Sequence, residues 1–275
     1  MAPRVTPGRA AARPPDRELL YGRNAVIEAL RGRRRPRGLL VTQAAERQPR
    51  VAHAMIEATR RGVTVSRVTP AELDQLLGEV NHQGVALEAG PFPYADLDTL
   101  LDAAGGRPIV ALDHVQDPQN LGTLIRTAEA AGCAGLLLPE RRAAGITPAV
   151  VNASAGAVEH LPVALMANLG RAIETAKGTG YWAVAVEAGE GSRNLYEIDV
   201  PEPTLLVIGS EGRGISPTIL DHADLVVSLP MLGRVESLNA AVAGSIALYE
   251  LLRRRLAHDG SPRPATGSSS GDESR

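Results

Sequence analysis

Cysteine is almost absent from this chain. The single Cys133 excludes an internal disulfide and any zinc site assembled from several cysteines. Aromatic residues make up only 3%, too few for the stacking platforms on which single-strand binders lay their bases. No apolar run approaches the roughly 18 residues that cross a bilayer. The start, MAPRVTPGRAAARPPDRE, is basic and Pro-rich but has no apolar core like that of a signal peptide. The cytoplasm is therefore the expected compartment, with no membrane contact. His82 and His114 have no neighbours at metal-ligand spacing; each is expected to be a hydrogen-bonded structural histidine, and no metal is expected. Lysine is missing from residues 1–70, yet this stretch holds fifteen arginines against five acids. That surplus of about ten positive charges leaves about −12 for the rest of a chain whose total is −2. A basic end on a mildly acidic body points to a polyanionic partner.

What is present alternates between strand and helix. Residues 1–16 have no periodicity and are expected to be a disordered basic tail. From Glu18, the run LLYGRNAVIEALRG spaces Ala25, Val26, Ala29 and Leu30 for one helical face. RGLLVTQ is then a strand, VAHAMIEATRRG a helix closed by Gly62, VTVSRV a strand, PAELDQLLGEV a helix begun by Pro70, and NHQGVALEA a turn into a strand. Residues 17–90 thus form a small α/β domain. The segment 91–108, with two prolines at its start and a Gly pair near its end, reads as a linker carrying a helical turn or two. A second domain runs from 109 to 257. It opens with the strand IVALDHV and a helix that Asn120 is expected to cap and Gly132 to end. The strand AGLLLPE, a helix over TPAVVNASAGAVEH, a helix near 167–177 and the strand YWAVAVEA follow. From 258 the tail is low in complexity and expected to be disordered.

The stretch Leu205–Leu252 is where a site is expected. Each of its halves is an apolar strand running into a loop of Gly, Ser, Glu and Asn. Such apolar runs suit strands buried on both faces of a parallel sheet, whose ligands lie at the carboxyl ends. GSEGRG (209–214) matches neither a dinucleotide fingerprint nor a phosphate loop. Glu211 among glycines suits a neutral or cationic ligand needing close backbone approach, a sulfonium cofactor for instance; a plain tight turn is the alternative. Asn120 and Arg126 lie off the apolar face of Leu121, Leu124, Ile125 and Ala128. Read singly, they are a cap and a solvated arginine, and Ser237 and Asn239 could simply cap the last helix.

Taken in order, N-L-G-x-x-I-R-T-A, I-G-x-E-G-x-G-I and L-P-x-x-G-x-V-x-S-L-N-A-x-V-A resemble the three motifs of the SpoU (TrmH-like) family of RNA 2′-O-ribose methyltransferases, across the whole second domain. YGRNAVIEAL and NHQGVAL resemble the RNA-binding domain of the subgroup that methylates a guanosine of 23S rRNA. The resemblance implies an α/β protein with a trefoil-knotted, parallel-sheet methyltransferase domain and a small ribosomal-protein-like α/β domain before it. It implies S-adenosylmethionine as cofactor, 23S rRNA as partner, and a homodimer with its site near the subunit interface. Gly209, Leu229 and Leu238 fall on positions whose backbone holds the cofactor. Asn120, Arg126, Glu211, Ser237 and Asn239 fall on polar active-site positions. Ala241 stands where the family often has Ser, a change that keeps the residue small.

The implied reaction is attack of a ribose 2′-hydroxyl on the methyl group. An arginine is a poor base at neutral pH, so Arg126 is expected to clamp the neighbouring phosphate and favour the developing alkoxide. Asn120 would orient the ribose or Arg126, and Ser237, Asn239 and Glu211 would shape the pocket; a phosphate oxygen or water is left to take the proton. RNA affinity is expected from arginine–phosphate contacts by Arg23, Arg33, Arg34, Arg35 and Arg37. Two other readings compete: the same chemistry on tRNA or on an antibiotic-resistance site of rRNA, and a non-catalytic ribosome-assembly factor. The presence of Asn120, Arg126, Glu211 and Asn239 together argues against the last.

Overall fold

The computed structural model describes residues 17–141, 143–189, 191–235 and 237–258. The tails expected to be disordered, 1–16 and nearly all of 258–275, lie outside the described residues.

The N-terminal sheet has four strands in the order β1-β4-β2-β3. These are β1 (Glu18–Tyr21), β2 (Pro36–Thr42), β3 (Thr64–Val68) and β4 (Val85–Ala89). Its helices are α1 (Arg23–Arg31), a single turn α2 (Gln43–Glu46), α3 (Pro49–Arg60) and α4 (Pro70–Leu77). The sequence suggested helix from Glu18 onward; Glu18–Tyr21 is instead a strand, antiparallel to β4. The helical spacing of apolar residues begins only at Ala25, and Gly22, at φ +88°, turns the chain between the two elements. Helix α4 begins as its Pro70 suggested, with a full capping box between Thr69 and Glu72.

The larger sheet has seven parallel strands in the order β7-β6-β5-β10-β8-β11-β9. In chain order they are β5 (Ile109–Leu112), β6 (Gly135–Pro139), β7 (Val163–Met166), β8 (Trp182–Val186), β9 (Arg193–Asn194), β10 (Thr204–Ile208) and β11 (Leu225–Ser228). Both faces are covered, which is why β5 and, after Thr204, β10 are apolar and why both are fully buried. On one face lie α6 (Pro118–Ala130) and the C-terminal α10 (Ala240–His258), joined to the interior of the N-terminal sheet in one continuous core. The other face carries α5 (Leu97–Ala104), α8 (Leu169–Gly178) and the short α9 (Pro217–Leu220). Of the stretch read as a linker, α5 packs onto this sheet through Leu100, Leu101 and Ala104, and Leu100 fills the space a side chain at Gly135 would need.

Two helices differ from expectation, one at its cap and one in its continuity. Asp117, not Asn120, caps α6, its side chain accepting from Gln119 N, so Asn120 lies inside the first turn. The run 147–160 is not one helix. Thr147 caps a short α7 (Pro148–Ala153), Ala155 and Gly156 take positive φ, and a 3₁₀ turn spans Ala157–Glu159.

The two sheets are locked together by α7, the 3₁₀ turn and the chain around Arg33–Arg34. Arg34 is buried to 1% exposure and donates to Glu159 Oε1 at 2.8 Å and to the Glu18 carboxylate, with the Phe92 ring 5.1 Å away. Arg33 donates to the carbonyls of Glu159 and Leu161, Asn152 to that of Tyr21 at 3.1 Å, and His160 pairs with Glu28. Burial raises the Glu159 carboxyl pKa, opposed chiefly by Arg34, and burial lowers that of Arg33. Arg34 is therefore a structural residue and not the RNA contact that its place in an arginine run suggested.

Candidate active site

Asn120, Glu211 and Asn239 meet at the carboxyl ends of the central strands. Asn239 precedes α10, and its Oδ1 accepts from the N–H groups of Ala241 (2.9 Å) and Val242 (3.2 Å). These otherwise unpaired helix donors fix which way the amide faces. Its Nδ2 is thereby aimed at two acceptors, Asn120 Oδ1 and Glu211 Oε2, each at 3.0 Å. Asn120 Nδ2 also donates to Glu211 Oε2, at 3.2 Å. A carboxylate held by two amides from different helices has a fixed position, whereas a free glutamate would sample several rotamers.

Close packing brings those helices together. A side-chain carbon on Gly244 of α10 would lie 2.6 Å from the side-chain ends of both Leu124 of α6 and Ile208 of β10, so anything larger than glycine would have to push them aside. Thr127 and Ser245 share a hydrogen bond of 3.0 Å across the same seam.

Two cavities meet at this cluster, with Ser210, Glu211 and Ala240 lining both. The first, of about 360 Å³, opens beyond β8, β10 and β11 and is lined by Gly209, Leu229, Met231, Ser237, Leu238 and Glu187, among others. All three residues expected to hold a cofactor, and Ser237, therefore face one space. Gly209 is required there: a Cβ would lie 2.2 Å from the Gly214 carbonyl carbon, where the 209–214 loop folds back through paired Ser210–Gly214 hydrogen bonds. The second cavity, about 620 Å³, lies where the loops after β5 and β10 diverge and is lined by His114, Gln116, Asp117, Asn120 and Arg213. A crevice at such a point in an open parallel sheet is where ligands bind. Asp113, buried beneath it, holds Ser216 N at 2.7 Å and His114 Nδ1 at 2.6 Å.

Arg126 lines neither cavity. It is exposed on α6 and has no hydrogen-bond or ion-pair partner among the described residues. Of the arginines expected on RNA, Arg35 and Arg37 are exposed, while the half-buried Arg23 has an Nε with no partner among the described residues. Arg33 is engaged with backbone carbonyls and Arg34 is internal. His82 is structural, joined to Asp74 and to Gly84 N. No cluster of potential metal ligands occurs among the described residues, and no helix among them is long and apolar enough to cross a membrane. Sequence reasoning missed Glu187; its one signal was an acid directly after the apolar run WAVAV.

The first cavity suits S-adenosylmethionine: compact glycine backbone at Gly209, apolar walls at Leu229, Met231 and Leu238, and carboxylates rather than cations facing a positively charged sulfonium.

Comparison with known proteins agrees with this chemistry. Residues 107–249 match the SpoU rRNA Methylase family, and residues 19–95 match the RNA 2′-O ribose methyltransferase substrate binding domain. An uncharacterized tRNA/rRNA methyltransferase of Synechocystis is 40% identical over 93% of this chain, which spans 66% of that relative's length. Among solved structures, the SpoU methyltransferase AviRb of Streptomyces viridochromogenes aligns with a TM-score of 0.73 at 27% identity, covering 88% of this chain and 91% of its own. The AdoMet-bound rRNA methyltransferase of Sinorhizobium meliloti aligns at 0.71 and 30% identity, covering 88% of each chain.

Proposed function

Since the chain belongs to the SpoU family of S-adenosylmethionine-dependent RNA methyltransferases, we propose that it methylates the 2′-hydroxyl of a guanosine ribose in 23S rRNA, in the cytoplasm. The observation that carries this reading is the Asn120–Glu211–Asn239 cluster at the junction of the two cavities.

In the cofactor cavity, S-adenosylmethionine supplies a methyl group activated by its sulfonium. The second cavity receives the target nucleotide, so that its 2′-oxygen approaches the methyl carbon across the shared wall. Bound there, the cofactor would give up its methyl carbon to the ribose oxygen and leave as a neutral thioether, and the hydroxyl proton would pass to a phosphate oxygen or water. Asn120 and Asn239, held by Glu211, position the ribose. Arg126, with no competing partner among the described residues, clamps the adjacent phosphate and favours the developing oxyanion. Ser237 borders the cofactor cavity, and Arg35 and Arg37 supply exposed charge for more distant phosphates.

We assign a homodimer to this protein because Leu232 (99% exposed), Val235, Leu238 and Val242 form an apolar run beside the cavity. That face also offers a way to complete the site around Arg126, which lines neither cavity of its own chain. The knot belongs to the same reading. After β11, beyond β8 in the sheet, the chain returns so that Asn239 meets Asn120 and Glu211.

The test is transfer of labelled methyl from S-adenosylmethionine to ribosomal RNA, with the modified nucleotide mapped. A 2′-O-methylguanosine in 23S rRNA is expected. Label on tRNA or on another rRNA nucleotide would replace the substrate assignment, and tight RNA binding with no transfer to any RNA would overturn the catalytic one.

A further inference from the structure

Among the described residues, two carboxylates line the cofactor cavity, and only one has been given a role. Glu211 is occupied by Asn120 and Asn239 at the junction with the substrate cavity. Glu187 borders the cofactor cavity and not its neighbour. Its backbone N–H is bound to Val227 O at 2.9 Å, which extends the pairing of β8 with β11 and fixes where the side chain starts. Its Oε2 accepts from Ile215 N at 2.8 Å, while Oε1 takes no hydrogen bond among the described residues. The carboxylate lies over Gly214, where an added Cβ would be 2.4 Å from Oε1; Gly214 also has φ +64°. The chain thus leaves out a side chain at Gly214 and brings an acid against the glycine loop, with one oxygen free to accept.

This placement has a physical parallel in sheets that bind adenosine. There a glycine loop follows one parallel strand, and an acid at the carboxyl end of a neighbouring strand accepts from the ribose hydroxyls. Here the glycine loop follows β10, and Glu187 directly follows β8, the parallel neighbour of β10. The reacting sulfonium must lie toward the junction of the cavities, where the substrate enters, and Glu187 is not part of that junction. Glu211, which is, accounts for negative charge near the sulfonium.

We propose that Glu187 anchors the cofactor by accepting hydrogen bonds from the ribose diol of its adenosine part. The assignment deepens the cofactor reading of this cavity and rests on it. The carboxylate then has two duties: one oxygen secures the 209–214 loop through Ile215, and the other reads the sugar. Adenosine ligands are gripped whether or not they carry a charge on sulfur or an amino group.

The test is calorimetric affinity of the full chain, without RNA, for S-adenosylmethionine, S-adenosylhomocysteine and 5′-methylthioadenosine, the last having the diol but neither the sulfonium nor the ammonium. Glu187→Gln keeps an oxygen for Ile215 N but removes the charged acceptor, so affinity for all three should fall by a similar factor of about ten. Wild type should bind 5′-methylthioadenosine about tenfold better than its 2′-deoxy counterpart, and Glu187→Gln should lose most of that preference. A loss confined to ligands with the ammonium, or to S-adenosylmethionine alone, would overturn the diol assignment in favour of a charge contact. Unchanged affinity for all three would reduce Glu187 to a fastener of the loop. Should the variant not fold, equal wild-type affinity for the ribose and deoxyribose ligands would by itself refute the proposal. Wild type that binds none of them would bring down the cofactor reading as well, whereas the other failures leave it standing.

Discussion

Replacing Arg34 by Met should destabilise the protein severely at neutral pH. The side chain is fully buried between the two sheets, and among the described residues no other cation pairs with the Glu159 side chain, which is itself buried. Removing one member of a buried ion pair leaves a charge without compensation and costs about 3–5 kcal/mol. Methionine roughly fills the aliphatic part of the space against Phe92, so little of that loss comes from a cavity. The pH dependence identifies the cause. Burial already raises the Glu159 carboxyl above its usual 4.5, and Arg34 is the main influence opposing it. Without Arg34 the native value rises further while the unfolded value stays put. A proton is then held by the native chain over a range in which the unfolded chain has released it, so the penalty grows as pH rises above about 4.5 and is smaller below it. Urea unfolding of wild type and Arg34→Met at pH 4.5 and 7.5 should show the larger gap at 7.5. Adding Glu159→Gln should recover part of the loss. A gap below about 1 kcal/mol, the size of a surface pair, or one equal at both pH values, would refute the reasoning.

Other outcomes are open to direct measurement. Arg126→Ala should lower the transfer rate by about 10²–10³ while calorimetry finds cofactor affinity unchanged, because the residue lines neither cavity; surviving activity would remove the clamp. Burial pushes the Cys133 thiol up to about 12, so a thiol reagent at pH 8 should leave it unmodified in the native protein and label it once unfolded. The hydrogen bond from Arg253, with help from Arg254 and against desolvation, holds Glu250 down to about 2. Its stabilising share is complete above the usual 4.5 and is lost as pH falls from there toward 2. Glu250→Gln should thus be less stable than wild type at pH 6 and approach it near pH 3, as read by urea unfolding.

The larger sheet was legible because its central strands β5 and β10 are buried on both faces, and such strands must be largely apolar. Val110–Leu112 and Leu205–Ile208 announce themselves in this way. The start of the chain misled because Leu19, Leu20 and Tyr21 can continue the apolar spacing of the following helix; only pairing with β4, some 65 residues on, decides for strand. Arg34 misled for a related reason. In sequence it is one of three consecutive arginines, and nothing local separates it from exposed Arg35. What separates them is a glutamate 125 residues away.

By itself, then, the sequence determined the alternation of strand and helix, the glycines at 209 and 214 that let backbone pass close, and the set of polar residues from which a site could be made. These depend on local chemistry: periodicity, side-chain size and backbone freedom. The tertiary structure alone decided that Asn120, Glu211 and Asn239 share one hydrogen-bonded cluster, that Glu187 faces the cofactor cavity, and that one arginine of a basic run holds two sheets together. Those contacts join residues far apart in the chain, and only the insertion of β10 between β5 and β8 brings their strand ends to one place.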